Sequence, residues 1–100
     1  MYRVITCNTN GIRAAAHKGF FDWLASQKAD VVCIQEIKAK EEQLTDEVFY
    51  PKGYHCYYNE AERPGYAGTA IFCKQKPQKV LTRLDWDIVD SEARYLTLIH

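Results

Sequence analysis

Residues 3–7 read RVITC and residues 30–35 read DVVCIQ, and between them Phe20, Phe21, Trp23, Leu24 and Gln27 fall at helical spacings. Val, Ile and Thr favour the pleated conformation, so both stretches are predicted strands. Ile12 to Gln27 is predicted to be mostly helical, with Gly19 a break within it. The four consecutive apolar residues Val31 to Ile34 predict a second strand buried on both faces. Strand, helix and strand within about 35 residues make a βαβ unit, whose strands run parallel through a right-handed crossover. The fold class that follows is α/β.

Outward from this unit, the charged segment Lys38 to Phe49 reads as a helix closed by Pro51 and Gly53. Residues 54–59 (YHCYYN) and 69–74 (TAIFCK) read as antiparallel strands joined by the turn ERPGYAG. Lys79 to Arg83 adds a short strand, and Arg94 to His100 begins another. The result is a mixed β-sheet with flanking helices. Two helices do not cover both faces of such a sheet, and the bare face is a larger apolar patch than soluble monomers ordinarily expose. The last strand also runs to His100 with no turn or cap. Residues 1–100 are therefore expected to form a single partial domain, completed by a second half packed on that face.

The 100 residues carry 13 Lys+Arg and 13 Asp+Glu, and 47% are apolar. This composition belongs to a folded chain, of one domain at most. A net charge of zero excludes a uniformly basic nucleic-acid-binding domain. The charge is nevertheless blocked. Residues 1–29 are mostly basic and 30–62 mostly acidic, while 63–83 hold Arg63, Lys74, Lys76, Lys79 and Arg83 without an acid. Two basic blocks flanking an acidic one suit an anionic polymer lying across a metal site, although chance clustering on a solvated surface produces the same pattern. Cys7, Cys33, Cys56 and Cys73 form no C-x-x-C pair, which excludes a zinc clip or a dithiol redox motif. Free thiols in apolar runs fit a reducing compartment. No apolar run approaches the ~20 residues of a membrane span, and the expected location is the cytoplasm.

Chemistry concentrates where the two parallel strands end, the edge at which α/β sheets bind ligands. Asn8-Thr9-Asn10-Gly11 follows the first strand, with both amides on one face. Asn offers a carbonyl to a hard cation and an amide to a phosphate oxygen. Asn10-Gly11 equally suits a plain turn and helix cap. Gln35-Glu36 ends the second strand. A lone carboxylate with amide neighbours matches how Mg²⁺ is held, whereas an acid at a helix N-terminus is the structural alternative. Arg13, Lys18 and Lys38 lie beside these ends and are phosphate ligands or solvated surface charges. Gly65-Tyr66-Ala67-Gly68 lets backbone N–H groups approach a phosphate, as an ordinary hairpin turn also does. His17, His55 and His100 have no ligand spacing, and Trp23 and Trp86 are expected in the core.

Taken in order, NxNGIRAA, DVVCIQEIK, GYAGTAIF and DSEARYL resemble the N-terminal half of the exonuclease III family of apurinic/apyrimidinic (AP) endonucleases. That family lies within the DNase I-like endonuclease/exonuclease/phosphatase superfamily, and the resemblance runs from Arg3 to Leu98. It implies the N-terminal half of a four-layer α/β sandwich. It implies Mg²⁺- or Mn²⁺-dependent phosphodiester cleavage at abasic sites, with 3′–5′ exonuclease and 3′-phosphodiesterase activity. The implied partner is double-stranded DNA with abasic sites or 3′ ends, bound by a full-length monomer with no membrane partner. By this resemblance Glu36 and Asn8 are catalytic and hold the metal. Asn10 stands where some members carry Asp, and joins the metal through water. Arg13, Lys18 and the turn of Gly65, Tyr66 and Gly68 match positions that grip the DNA backbone. The family's catalytic Tyr, Asp-x-Asn pair and terminal Asp-His pair fall outside this chain, so the 100 residues alone are expected to be inactive. Two further readings stay open: a superfamily phosphoesterase acting on a small-molecule or lipid phosphate, and an inactive fragment that binds metal or DNA.

Overall fold

The computed structural model describes residues 2–100. Its elements, in chain order, are β1 (Val4–Asn8), α1 (Ile12–His17), α2 (Phe20–Gln27), β2 (Val31–Gln35), β3 (His55–Asn59), β4 (Thr69–Cys73), β5 (Lys79–Leu81), α3 (Asp87–Ser91) and β6 (Thr97–Ile99). Among the described residues, four strands form one sheet in the order β1-β2-β4-β3, and β5 pairs with β6 in a separate antiparallel pair. β1 and β2 are parallel, and β4 is antiparallel to both β2 and β3. This is the mixed sheet expected from the βαβ opening and the hairpin that follows. The helix between β1 and β2 breaks at Gly19, whose φ of 89° only glycine adopts without strain.

Strand alternation sorts the sheet into two faces. Ile5, Val32, Phe72 and Cys56 lie across one row, and Cys7, Ile34, Ala70 and Tyr58 across the next. With Phe21 and Leu24 of α2 these side chains form the main core, where Phe72 is fully buried. The Phe72 and Tyr58 rings meet edge to face at 5.6 Å. The Tyr58 hydroxyl donates to the Phe49 carbonyl at 2.6 Å, so the one polar atom of this buried ring is satisfied. The opposite face carries Val31, Cys33, Ile71 and Tyr57, all half-buried. Burial of β2 on both faces is thus corrected: Val32 and Ile34 are enclosed, Val31 and Cys33 are not, because α1 and α2 follow one crossover and cover one face.

Two more expectations change. Lys38 to Phe49 is not a helix but two single 3₁₀ turns, Glu41–Gln43 and Glu47–Phe49. Its buried residues, Ala39, Leu44 and Phe49, keep no helical period, and side chains fasten it locally instead. Asp46 accepts from the Val48 N–H at 3.0 Å. The Lys40 ammonium donates to the Glu62 carbonyl at 2.9 Å and to that of Ala61, and it pairs with Glu60 at 3.2 Å. Trp23 and Trp86 are exposed, at 47% and 60%, and are not core. Trp23 sits on the outer side of α2, and Trp86 opens α3, a short helix the sequence did not reveal. No helix among the described residues is long and apolar enough to cross a membrane.

The Glu60 clasp gives an acid signature. The Glu41 backbone N–H donates to the Glu60 carboxylate at 3.0 Å and holds its pKa below the usual value, with Lys40 adding to the effect. A carboxyl lowered by folding stabilises the fold above its unfolded pKa, near 4.5, and that contribution fades as the pH falls through the folded value. Wild type is therefore expected to lose more stability than Glu60→Gln between about pH 5 and pH 3, as read from urea midpoints across that range.

Candidate metal and phosphate site

The pairing of β1 with β2 does not stop where the strands end. Asn8 lies opposite Gln35, and beyond them Thr9 N–H donates to the Gln35 carbonyl (3.0 Å), Gly11 N–H to that of Glu36 (2.8 Å) and Ile12 N–H to that of Ile37 (2.9 Å). The Thr9 hydroxyl lies within 3.2 Å of the Gln35 carbonyl and 3.1 Å of that of Glu36. Two loops that differ in sequence are thereby zipped together, and their side chains must share one space.

In that space the Asn8 amide donates to Glu36 Oε2. Asn8 Oδ1 in turn accepts from the Asn10 backbone N–H at 2.9 Å, fixing which way the amide faces. The Lys38 ammonium donates to Asn10 Oδ1 at 2.5 Å and stands 3.7 Å from Glu36 Oε1. Asn8, Asn10, Glu36 and Lys38 are thus brought together in one hydrogen-bonded cluster. About a third of each of the Glu36 and Lys38 side chains remains open to solvent.

The backbone under this cluster is strained. Asn10, Glu36 and Lys38 have φ of 48°, 54° and 52°, a left-handed conformation that costs a non-glycine residue about 1 kcal/mol or more. Neighbouring hydrogen bonds hold it in place: Ile37 N–H to the Gly68 carbonyl (3.2 Å) and Lys38 N–H to that of Ala67 (2.8 Å). The Gly65–Gly68 turn is therefore joined to the Glu36 loop. At Gly68 an added Cβ would stand 2.6 Å from Ile37 Cγ1, so the two loops approach as closely as glycine permits.

The cationic residues divide between two concavities. Arg13, Lys38 and Gly65 line one of about 580 Å³, together with His17. Asn8, Asn10 and Lys18 line another of about 370 Å³, together with Phe20 and Trp23. Lys18 therefore does not share a groove with Arg13, although only four residues separate them in the chain. Tyr66 is exposed, with the guanidinium carbons of Arg63 and Arg94 at 5.3 and 5.8 Å from its ring centre. His17, Arg63 and Arg94 were not singled out as binding residues from the sequence. The signal available for Arg63 was its place two residues before the Gly-Tyr turn, and for Arg94 its place within DSEARYL.

The donor set narrows the chemistry. Among the described residues no cluster of three or more His, Cys, Asp or Glu side chains is placed to hold a metal. The oxygens gathered here are one carboxylate and two amide carbonyls, which accept from the Asn10 N–H and the Lys38 ammonium, and hard donors of this kind suit an oxygen-seeking divalent cation better than zinc. All four cysteines are free. Burial pushes their thiols up, that of Cys56 to about 12, which favours the neutral thiol over the thiolate.

Residues 5–99 match the Endonuclease/Exonuclease/phosphatase family, and the chain belongs to it. Within that family it is 38% identical over 97 residues to an exodeoxyribonuclease of Bacillus subtilis, covering 96% of this chain and 37% of the relative. It is 30% identical over 96 residues to a DNA-(apurinic or apyrimidinic site) endonuclease of Dictyostelium discoideum, covering 96% of this chain and 26% of the relative. The structure of an AP endonuclease from Archaeoglobus fulgidus superposes with a TM-score of 0.76 at 30% identity, over 92% of this chain and 35% of that one. The chain thus spans less than two fifths of the length of these relatives.

The contact between loops predicts a specific fragility. Gly68→Ala places a Cβ against the fully buried Ile37 at a φ of +86°, and is expected to destabilise the fold by about 2 kcal/mol or more. Chemical denaturation reads this loss, and Gly65→Ala, with nothing within 4 Å of its added Cβ, is expected to lose less.

Proposed function

We propose that the protein is a DNA-repair nuclease that hydrolyses phosphodiesters at abasic sites with a divalent metal, and that also has 3′–5′ exonuclease and 3′-phosphodiesterase activity. The observation that carries this reading is the Asn8–Glu36–Asn10–Lys38 cluster at the joined tips of β1 and β2, beside the concavity that holds Arg13. Names of the relatives support the same reaction class and a DNA substrate.

Glu36 would supply the one charged metal ligand, while the carbonyls of Asn8 and Asn10, which accept from the Asn10 N–H and from Lys38, would offer their remaining lone pairs, that of Asn10 through water. The donor set fits Mg²⁺ or Mn²⁺, which supplies Lewis-acid activation of the phosphate when bound. Arg13 offers a planar fork to a backbone phosphate, and Lys18 and Lys38 offer point charges. The Gly65–Gly68 turn brings its backbone and the Tyr66 ring against the sugar-phosphate backbone. Asn8, bonded to both Glu36 and the Asn10 backbone, keeps the carboxylate aimed at the shared space. None of these residues is a general base for the attacking water, a role worth ~10²–10⁴ in rate. The 100 residues by themselves are accordingly expected to be inactive. Free thiols fit a cytoplasmic setting.

In the full-length protein, Glu36→Gln is expected to lower Mg²⁺-dependent incision of an abasic duplex by about 10²-fold or more, with an unchanged circular dichroism spectrum. Arg13→Ala is expected instead to weaken duplex binding and reduce the slope of log affinity against log salt by about 1. Full incision by Glu36→Gln, or hydrolysis of an inositol or lipid phosphoester in preference to the duplex, overturns the proposal.

A further inference from the structure

The DSEARYL motif has no part in the reading above, yet its residues seat the Gly65–Gly68 turn. Gly68 N–H donates to the Glu92 carbonyl at 3.1 Å, the Thr69 hydroxyl to that of Ala93 at 3.0 Å, and Glu62 N–H to that of Ser91 at 2.8 Å. Ala61, Ala67 and Ala93 close over one another as a small separate core. Ala67 and Ala93 both have left-handed backbones, with φ of 49° and 50°. The two segments are therefore built as one piece, with side chains small enough for the backbones to touch.

On this seat stands Arg94. Its guanidinium carbon lies 5.8 Å from the centre of the Tyr66 ring, inside the range of a cation–π contact. Its NH2 group reaches the Tyr66 hydroxyl at 3.5 Å, and its Nε is paired with Glu92. The charge of Arg94 is thus already compensated, while the far end of its guanidinium lies against one aromatic side chain. Arg63 differs: it lies against the same ring at 5.3 Å, with no carboxylate paired to it among the described residues.

We infer that Arg94 is a positioning residue for Tyr66, holding an otherwise exposed ring at the angle in which it meets the nucleic-acid backbone, and that it does not itself bind phosphate. This rests on the nuclease reading for the role of Tyr66 and adds to it the residue that orients the ring. A phosphate ligand gives up counterions on binding and steepens the salt dependence. An arginine already neutralised by Glu92 and acting through Tyr66 leaves that slope alone.

A double-mutant cycle on duplex affinity in the full-length protein tests the inference, with an uncleaved abasic duplex in EDTA as the probe. Arg94→Ala is expected to weaken binding roughly two- to fivefold, the scale of an exposed cation–π contact, with an unchanged salt slope. In a Tyr66→Ala background the same change is expected to cost nothing further. Arg94→Gln serves if the alanine variant does not fold. Additive losses, or a slope reduced by about 1, overturn the inference and make Arg94 an independent phosphate ligand. If Tyr66→Ala leaves affinity unchanged while Arg13→Ala lowers it, the inference fails and the nuclease reading stands. If neither substitution matters, both fail.

Discussion

The continued parallel pairing of β1 and β2 past their strand ends is the constraint on which the rest of the structure depends. Three backbone hydrogen bonds, from Thr9, Gly11 and Ile12 to the carbonyls of Gln35, Glu36 and Ile37, convert two loops into a single rigid edge. An amide and a carboxylate 28 residues apart then become hydrogen-bonded neighbours. Without that pairing Asn8 and Glu36 are merely two polar residues at the ends of strands. With it they form one hydrogen-bonded pair whose placement is set by the paired backbone of the two loops. This is the kind of pre-organisation that a metal or phosphate site requires.

Holding the edge this way requires strained residues, and the strain is spread over contacts that come from elsewhere in the chain. Glu36 and Lys38 are left-handed without being glycine, and β4's approach through Ala67 and Gly68 supplies the backbone partners that keep them there. Ala67 and Gly68 are in turn seated on Glu92 and Ala93. The order of support runs from residues 91–95, through the Gly-Tyr turn, to the carboxylate. Small side chains at Ala61, Ala67 and Ala93 are what allow these backbones to meet, because a larger one at any of them would separate the layers.

Charge is arranged to the same end. A net-neutral chain presents cations in separate concavities, with Arg13 and Lys38 lining one and Lys18 lining another. Glu36 stands 3.7 Å from the Lys38 ammonium. Mean composition conceals this pattern because several acids of residues 30–62 serve as clasps and caps. Glu60 and Asp46, for example, hold the 38–49 segment and are not part of the site.

What the sequence determined by itself was the βαβ opening, the antiparallel pair after it, and the identity of the residues at the strand tips. Those follow from local causes: β-branched runs, a glycine break, and amides and a carboxylate placed just past apolar stretches. The two 3₁₀ turns at 41–49, the short α3 and the exposure of Trp23 and Trp86 escaped it, because each is decided by contacts with distant residues and not by period. Only the tertiary structure decided that Lys18 and Arg13 face different grooves, that Lys38 bonds Asn10, and that Arg63 and Arg94 lie against Tyr66. Side-chain direction near a strand end depends on how two loops are paired and on which left-handed residues turn them. Neither is written in the spacing of one segment alone.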